Sequence, residues 1–211
     1  MSNYVITIAR SLGSGGSHIA KALSKELQIP VYDTEILEMA SEASGINESF
    51  FYEANEKISK GQLTIKNSTG VYKGTHYAPS DPKYLSNENL FSYQAEVIKE
   101  IAITGKQSCI IIGKAANKII GSLKNVVTVS VQADLDRCVR NTARRLQTNE
   151  VDARKKVLQT NKYRADYYKY YTGGDWSSPT EYDLSINTGA VSEEYAVKMI
   201  LDLLRYRGIL S

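Results

Sequence analysis

Residues Tyr4 to Ala9 read Y-V-I-T-I-A, a run of β-branched and apolar residues, and a glycine-rich turn follows at once as Arg10-Ser11-Leu12-Gly13-Ser14-Gly15-Gly16-Ser17. Behind the turn, His18 to Leu27 places apolar residues at 19, 20, 22, 23 and 27, the spacing of a helix with one buried face. Glycines let the backbone curl so that successive N–H groups point inward, and the free N–H groups of a helix start add partial positive charge. Strand, turn and helix together therefore suit an anion, a phosphate above all. The plainer alternative is a tight strand-to-helix turn that binds nothing. The strict pattern G-x-x-x-x-G-K-[ST] is absent, because no lysine follows the glycines.

Further apolar runs extend this unit into a sheet. Ser108 to Gly113 and Val126 to Val131 are nearly continuous apolar stretches, as strands buried on both faces would be. With residues 4–9, 30–32 and 182–187 they make five expected strands. Helical spacing is expected over Glu35 to about Ser44, through the Phe50–Ile58 region, from Ser86-Asn87-Glu88-Asn89 to Gly105, and over residues 134–146, 152–169 and 192–206. Strands alternating with helices predict a parallel sheet with helices on both faces. Ile29-Pro30-Val31-Tyr32 ends at Asp33, and strand carboxyl ends are where such sheets put ligand contacts. Asp33 suits either a ribose or base donor or the cap of the next helix, and on its own the cap is the simpler assignment. From Ser59 to Asn87 the pattern breaks down; Gln62-Leu63-Thr64-Ile65 and Gly70-Val71-Tyr72 are candidate short strands in a segment suited to a flap or an oligomer contact.

Composition narrows the function classes. The chain has 211 residues, enough for one domain with an insertion, and a net charge of only +3. That balance gives no general case for nucleic acid, although Lys and Arg outnumber Asp and Glu between Arg137 and Lys169, which suits a small polyanion or a solvated helical face. No apolar run reaches membrane-span length, and with a strand beginning near the first residue no signal peptide is visible; a cytoplasmic protein with no membrane and no nucleic-acid partner is the expectation. Cys109 and Cys138 lack metal-ligand spacing and are expected as buried free thiols.

Four stretches together resemble the cytidylate kinase-like proteins, relatives of CMP kinase in the nucleoside monophosphate kinase group. They are Ile8-Ala9-Arg10-Ser11-Leu12-Gly13-Ser14-Gly15-Gly16 with Ile29-Pro30-Val31-Tyr32-Asp33; Ile112-Gly113-Lys114-Ala115-Ala116-Asn117; Arg164-Ala165-Asp166-Tyr167-Tyr168-Lys169-Tyr170-Tyr171-Thr172-Gly173; and Asp175-Trp176 with Tyr182-Asp183-Leu184-Ser185-Ile186-Asn187-Thr188. The resemblance implies an α/β fold of P-loop NTPase type, three layers α/β/α on a five-stranded parallel sheet in the order 2-3-1-4-5. It implies a core of residues 1–33 and 106–211, a monophosphate-binding helical insertion over 34–105 that contains the irregular segment 59–87, and a lid at about 144–176. The activity it implies is transfer of the γ-phosphoryl group of ATP to a nucleoside monophosphate, CMP or dCMP first, with Mg²⁺. By the same resemblance Gly13, Ser14, Gly15, Gly16, Ser17 and His18 would hold the phosphates, with the Ser17 hydroxyl, or that of Ser14, on the metal. Arg10, Arg140, Arg144 and Arg164 would carry catalytic charge, and Asp33, Lys114, Asn117 and Arg137 would face the acceptor.

Several positions depart from that family's pattern. Ser17 takes the place of the arginine in G-S-G-G-R, Lys114 replaces the arginine of V-G-R, Asn117 and Asn161 replace aspartates, and Tyr163 stands where glutamate is common. Each change removes or weakens a charged group. Two functions follow, an active nucleotide kinase with a modified phosphate site, and a nucleotide-binding sensor or partner-binding protein that has lost most of its catalysis. Phe50-Phe51-Tyr52 and Tyr72-Tyr77 would offer a homo-oligomer contact if exposed.

Overall fold

A computed structural model describes residues 3–56 and 74–210. In chain order its elements are β1 (Val5–Arg10), α1 (Gly16–Leu27), β2 (Val31–Tyr32), α2 (Glu35–Ser44), α3 (Glu48–Glu56) and α4 (Asn87–Thr104). There follow β3 (Cys109–Ile112), α5 (Ala116–Ile120), β4 (Val126–Gln132), α6 (Leu135–Leu146), α7 (Glu150–Thr172), β5 (Leu184–Asn187) and α8 (Glu193–Tyr206). The five strands form one sheet in the order β2-β3-β1-β4-β5, and every pairing is parallel.

The sheet is apolar on both faces, and side-chain alternation along each strand decides which helices it meets. Ile6 and Ile8 of β1, Ile110 and Ile112 of β3, and Val127, Val129 and Val131 of β4 point to one side. There they pack with Ile19, Ala20 and Leu23 of α1 and Ile200, Leu201 and Leu204 of α8. Val5, Cys109, Ile111 and Val126 point to the other, against Ile36, Leu37 and Ala40 of α2, Phe51 of α3 and Val97 and Ile98 of α4. This is the three-layer arrangement that continuous apolar strands require. A smaller aromatic cluster joins α4 to α7 through Phe91, Tyr167, Tyr168 and Tyr171, with the Phe91 and Tyr171 rings stacked at 4.0 Å between centroids.

Some expectations need correction. Phe51 is fully buried beneath α2, so the Phe50-Phe51-Tyr52 run does not form an exposed apolar patch; only Phe50 is exposed. Asp33 does not cap α2: Thr34 holds the cap position, without a side-chain cap bond. Helix α7 begins two residues earlier than its spacing suggests, because Asn149 caps it by accepting from the Asp152 N–H. The candidate strands at 62–65 and 70–72 lie outside the described residues. Both cysteines are buried, and burial pushes the Cys109 thiol up to about 12. At pH 8 neither is expected to react with an aromatic disulfide reagent in the folded protein, and both react once urea unfolds it. Rapid labelling of a thiol under native conditions would contradict this packing.

Candidate functional site

Parallel strands bring all their carboxyl ends to one edge, so Arg10 after β1, Asp33 after β2 and Gly113-Lys114 after β3 meet there although 23 and 81 positions separate Asp33 from the other two charged residues. The turn after β1 is built to expose its amides. Gly13 and Gly15 hold φ of 86° and 88°, in the left-handed region. The loop carbonyls are turned outward and bound: Asn141 Nδ2 donates to the Gly13 carbonyl at 2.9 Å, and the Thr188 hydroxyl donates to that of Ser14 at 2.7 Å. Asn161 Oδ1 accepts from the Leu12 N–H at 2.8 Å, which is what this departure from aspartate does here. The N–H groups of Gly13, Gly15, Gly16 and Ser17 have no acceptor among the described residues. Four amides converging at a helix start form an anion cradle. The Ser14 hydroxyl is not available to it, being buried and donating to the carbonyls of Ser11 at 2.9 Å and Val131 at 3.0 Å.

Beside this cradle lies a cavity of about 480 Å³, walled by the strand ends and by α7. Its floor is a charge cluster. Arg10 Nη2 lies 3.0 Å from Asp33 Oδ2, and Lys114 Nζ lies 3.3 Å from Asp33 Oδ1. Arg164 reaches in from α7 and donates to the Arg10 carbonyl at 2.9 Å. Two cations thus pair with one carboxylate, and a third, Arg164, stands beside Arg10. Burial pushes the Arg10 and Lys114 values down, with the Asp33 carboxylate opposing in each case and Arg10 adding to the fall at Lys114. Burial, helped by the neighbouring Arg10, pushes Arg164 down to about 9. These guanidiniums keep their protons at neutral pH. The depressed values mark buried positive charge that Asp33 only partly compensates, and a bound anion would complete the compensation.

The turn after β3 carries backbone strain. Gly113, Lys114 and Ala115 hold φ of 71°, 54° and 54°, three successive left-handed residues of which two have a Cβ. Such conformations cost of order 1 kcal/mol each and gather at functional sites. Here the strain aims Lys114 at Asp33 and starts α5 at Ala116. Ala115→Gly is therefore expected to be neutral or to stabilise by up to about 1 kcal/mol, whereas the same change at a right-handed buried position destabilises. Urea unfolding of the two proteins checks this, and a loss above about 1 kcal/mol would refute it.

The aromatic wall comes from α7 and the segment after it, with Tyr163, Tyr167, Tyr168 and Trp176 lining the cavity. The Tyr167 hydroxyl is buried and has no partner among the described residues. Asn117 also lines the cavity, but its amide donates to the Tyr168 hydroxyl at 2.8 Å and to the Glu181 carbonyl at 3.2 Å, which ties α5 to α7. Among the residues expected from the sequence, Arg10, Asp33, Lys114, Asn117 and Arg164 meet in the cavity beside the Gly13–Ser17 loop. Arg137, Arg140 and Arg144 lie on α6 and do not line it; Arg140 and Arg144 are exposed. His18 is exposed, its backbone N–H donates to the Gly15 carbonyl, and its Nδ1 lies 3.4 Å from Glu193 Oε2. Sequence reasoning passed over Lys156, Thr160, Tyr163 and Tyr167 as cavity residues. Their i, i+4, i+7, i+11 spacing marks one face of α7 and was the available signal. No cluster of three metal-ligating side chains occurs among the described residues, and Ser17 lies in the first turn of α1 directly after the loop glycines.

A parallel 2-3-1-4-5 sheet with an amide-lined turn after its central strand is the fold of the P-loop kinases. The chain belongs to the cytidylate kinase-like family, whose model matches residues 5–190. Among solved structures it is similar to an uncharacterized protein from Eubacterium ventriosum, at 22% identity and a TM-score of 0.69 over 96% of this chain and 99% of that one. It is also similar to shikimate kinase from Bacteroides thetaiotaomicron, at 14% identity and a TM-score of 0.52 over 96% and 98% of the two chains. A third match is shikimate kinase from Acinetobacter baumannii in complex with shikimate, at 13% identity and a TM-score of 0.51 over 99% and 97%. No curated protein sequence matches it. Among the described residues no helix is long and apolar enough to cross a membrane.

Proposed function

We propose that this chain is an ATP-dependent phosphotransferase whose acceptor brings its own negative charge, a nucleoside monophosphate with CMP or dCMP the first candidates. The observation that carries this reading is the excess of cations on the cavity floor, where Arg10 and Lys114 pair with the carboxylate of Asp33 and Arg164 stands beside Arg10, next to an amide cradle. A monophosphate dianion offers the missing charge, and its planar base suits the wall of Tyr163, Tyr167, Tyr168 and Trp176.

The chemistry asks little of the protein beyond alignment and charge. ATP supplies the γ-phosphoryl group, and magnesium, with the Ser17 hydroxyl in reach, would neutralise its oxygens. The amides of Gly13 to Ser17 hold the β-phosphate. Lys114 and Arg164 fix the acceptor phosphate, and the segment of about 144–176 closes as a lid that keeps water out. Because a monophosphate oxygen is already anionic, no general base is needed, which agrees with Asp33, the one carboxylate lining the cavity among the described residues, being held by two cations. Ser17 favours a second reading, a nucleotide-binding module without turnover, since the phosphate loop itself has no side-chain cation.

Thermal unfolding with a panel of ligands tests the binding half of the proposal. Mg-ATP and monophosphates are expected to raise the midpoint and the corresponding nucleosides to leave it unchanged, because a ligand that binds only the folded state stabilises it in proportion to affinity and concentration. Equal shifts with nucleoside and monophosphate would contradict an anion-reading cavity.

A further inference from the structure

We propose that Arg10 is the catalytic cation of the phosphoryl transfer, displaced from the phosphate loop to the end of β1, and that Gly16 lets its stem lie directly against the helix start; this rests on the phosphotransferase reading above. Ser17 brings no charge to the loop and Gly16 brings no side chain. The space beside Gly16 is filled all the same. A Cβ at position 16 would stand 2.6 Å from Arg10 Cβ and 3.2 Å from its Cγ. At the other end of the same side chain, a Cβ at Gly113 would stand 2.6 Å from Arg10 Nη1. Two glycines, one from each strand-ending turn, therefore pack against the two ends of the Arg10 side chain.

The direction of that side chain matters. Its stem lies against the amide cradle and its guanidinium tip against the β3 turn and Asp33, so it spans the gap between the donor loop and the acceptor cavity. Its donors are under-used: Nη2 meets Asp33 at 3.0 Å, while Nε is buried with no acceptor among the described residues. Arg164 fixes the Arg10 backbone through the 2.9 Å bond to its carbonyl, and the side chain is only 14% exposed. A preorganised, poorly hydrated guanidinium across the transfer path is placed to stabilise charge on the moving group. In the transfer itself, an oxygen of the acceptor phosphate bonds to the γ-phosphorus as the bond to the β–γ bridging oxygen breaks, and that electron pair leaves on ADP. No proton moves, and Arg10 remains protonated throughout.

The test compares the full chain with Arg10→Ala, Gly16→Ala and the double variant Arg10→Gly/Gly16→Lys, in which glycine at position 10 removes the Cβ that a side chain at position 16 would strike. It measures ADP release with Mg-ATP and CMP, and the affinity for Mg-ADP and for the imido-bridged ATP analogue. Arg10→Ala is expected to lower kcat about 100-fold while Mg-ADP affinity changes less than about threefold, because the loop amides still hold the β-phosphate. Gly16→Ala keeps the arginine but sets its Cβ against that of Arg10, which no rotamer relieves, so β1 and the start of α1 must part; it should lose at least about tenfold in kcat. The double variant returns a cation to the vacated space and should recover at least about tenfold of the loss.

Turnover within threefold of the parent in Arg10→Ala would overturn the inference and leave the phosphotransferase reading standing. A loss shared equally by kcat and Mg-ADP affinity, with no recovery in the double variant, would reduce Arg10 to a brace for the loop. If the parent binds nucleotide without turnover, that reading fails and the catalytic role of Arg10 fails with it. A parent that binds neither nucleotide sinks both.

Discussion

Replacing Asp33 with asparagine is expected to cost the fold about 3 kcal/mol and to make its stability depend on inorganic phosphate. Removing one member of a buried ion pair leaves the other charge uncompensated, at about 3–5 kcal/mol. Here one carboxylate serves Arg10 and Lys114, whose side chains are 14% and 4% exposed, while Asp33 itself is 36% exposed and partly solvated. The lower end of the range therefore applies. Inorganic phosphate can take the vacated place among the three cations, so it should restore the variant more than it stabilises the parent protein. Urea titrations with phosphate, and with chloride at matched ionic strength, separate this from general screening. A loss under about 1 kcal/mol, or equal responses to the two anions, would show that the cations do not depend on Asp33.

The second large effect is expected at Gly13. Its φ of 86° already disfavours any side chain, and a Cβ there would be driven into the Cys138 backbone carbonyl and to 2.8 Å from the Thr142 hydroxyl. Strain in the left-handed region contributes about 1–2 kcal/mol, and overpacking against the backbone of α6, which cannot rotate aside, adds about as much again. Gly13→Ala should lose about 3 kcal/mol together with nucleotide binding. Gly15 is the built-in comparison. It has nearly the same φ, at 88°, but its Cβ would meet the Glu193 side chain, whose far end can swing away. Gly15→Ala should cost roughly half as much. Equal losses at the two positions would mean that backbone strain alone, not the α6 carbonyl, sets the requirement.

The sheet was legible because continuous apolar runs leave a strand no exposed face: Ser108 to Gly113 and Val126 to Val131 each mark a strand within two residues of its observed bounds. The strand order came from the resemblance to the kinase-like family and was not readable from periodicity. Legibility of the site stopped where long-range geometry begins. Asp33 looked like a helix cap from its neighbours, and only the parallel pairing of β2 with β3 and β3 with β1 carries it to Lys114 and Arg10. Lys156 escaped notice because a charged residue on a charged helix normally faces water; which face of α7 meets the cavity is decided by Tyr167, Tyr168 and Tyr171 packing on Phe91. The packing of Arg10 depends on two glycines 97 positions apart in sequence, which no local pattern reports.

The central claim is that the cavity presents an anionic acceptor to a phosphoryl group held by the Gly13–Ser17 amides. The most direct test is ADP release by the full chain with Mg-ATP and each of the common nucleoside monophosphates, with the matching nucleosides as controls and the diphosphate product identified. Turnover with at least one monophosphate, CMP or dCMP foremost, and none with its nucleoside is the result this account predicts. Turnover with an uncharged acceptor, or ligand-induced stabilisation with no ADP release for any monophosphate, would contradict it.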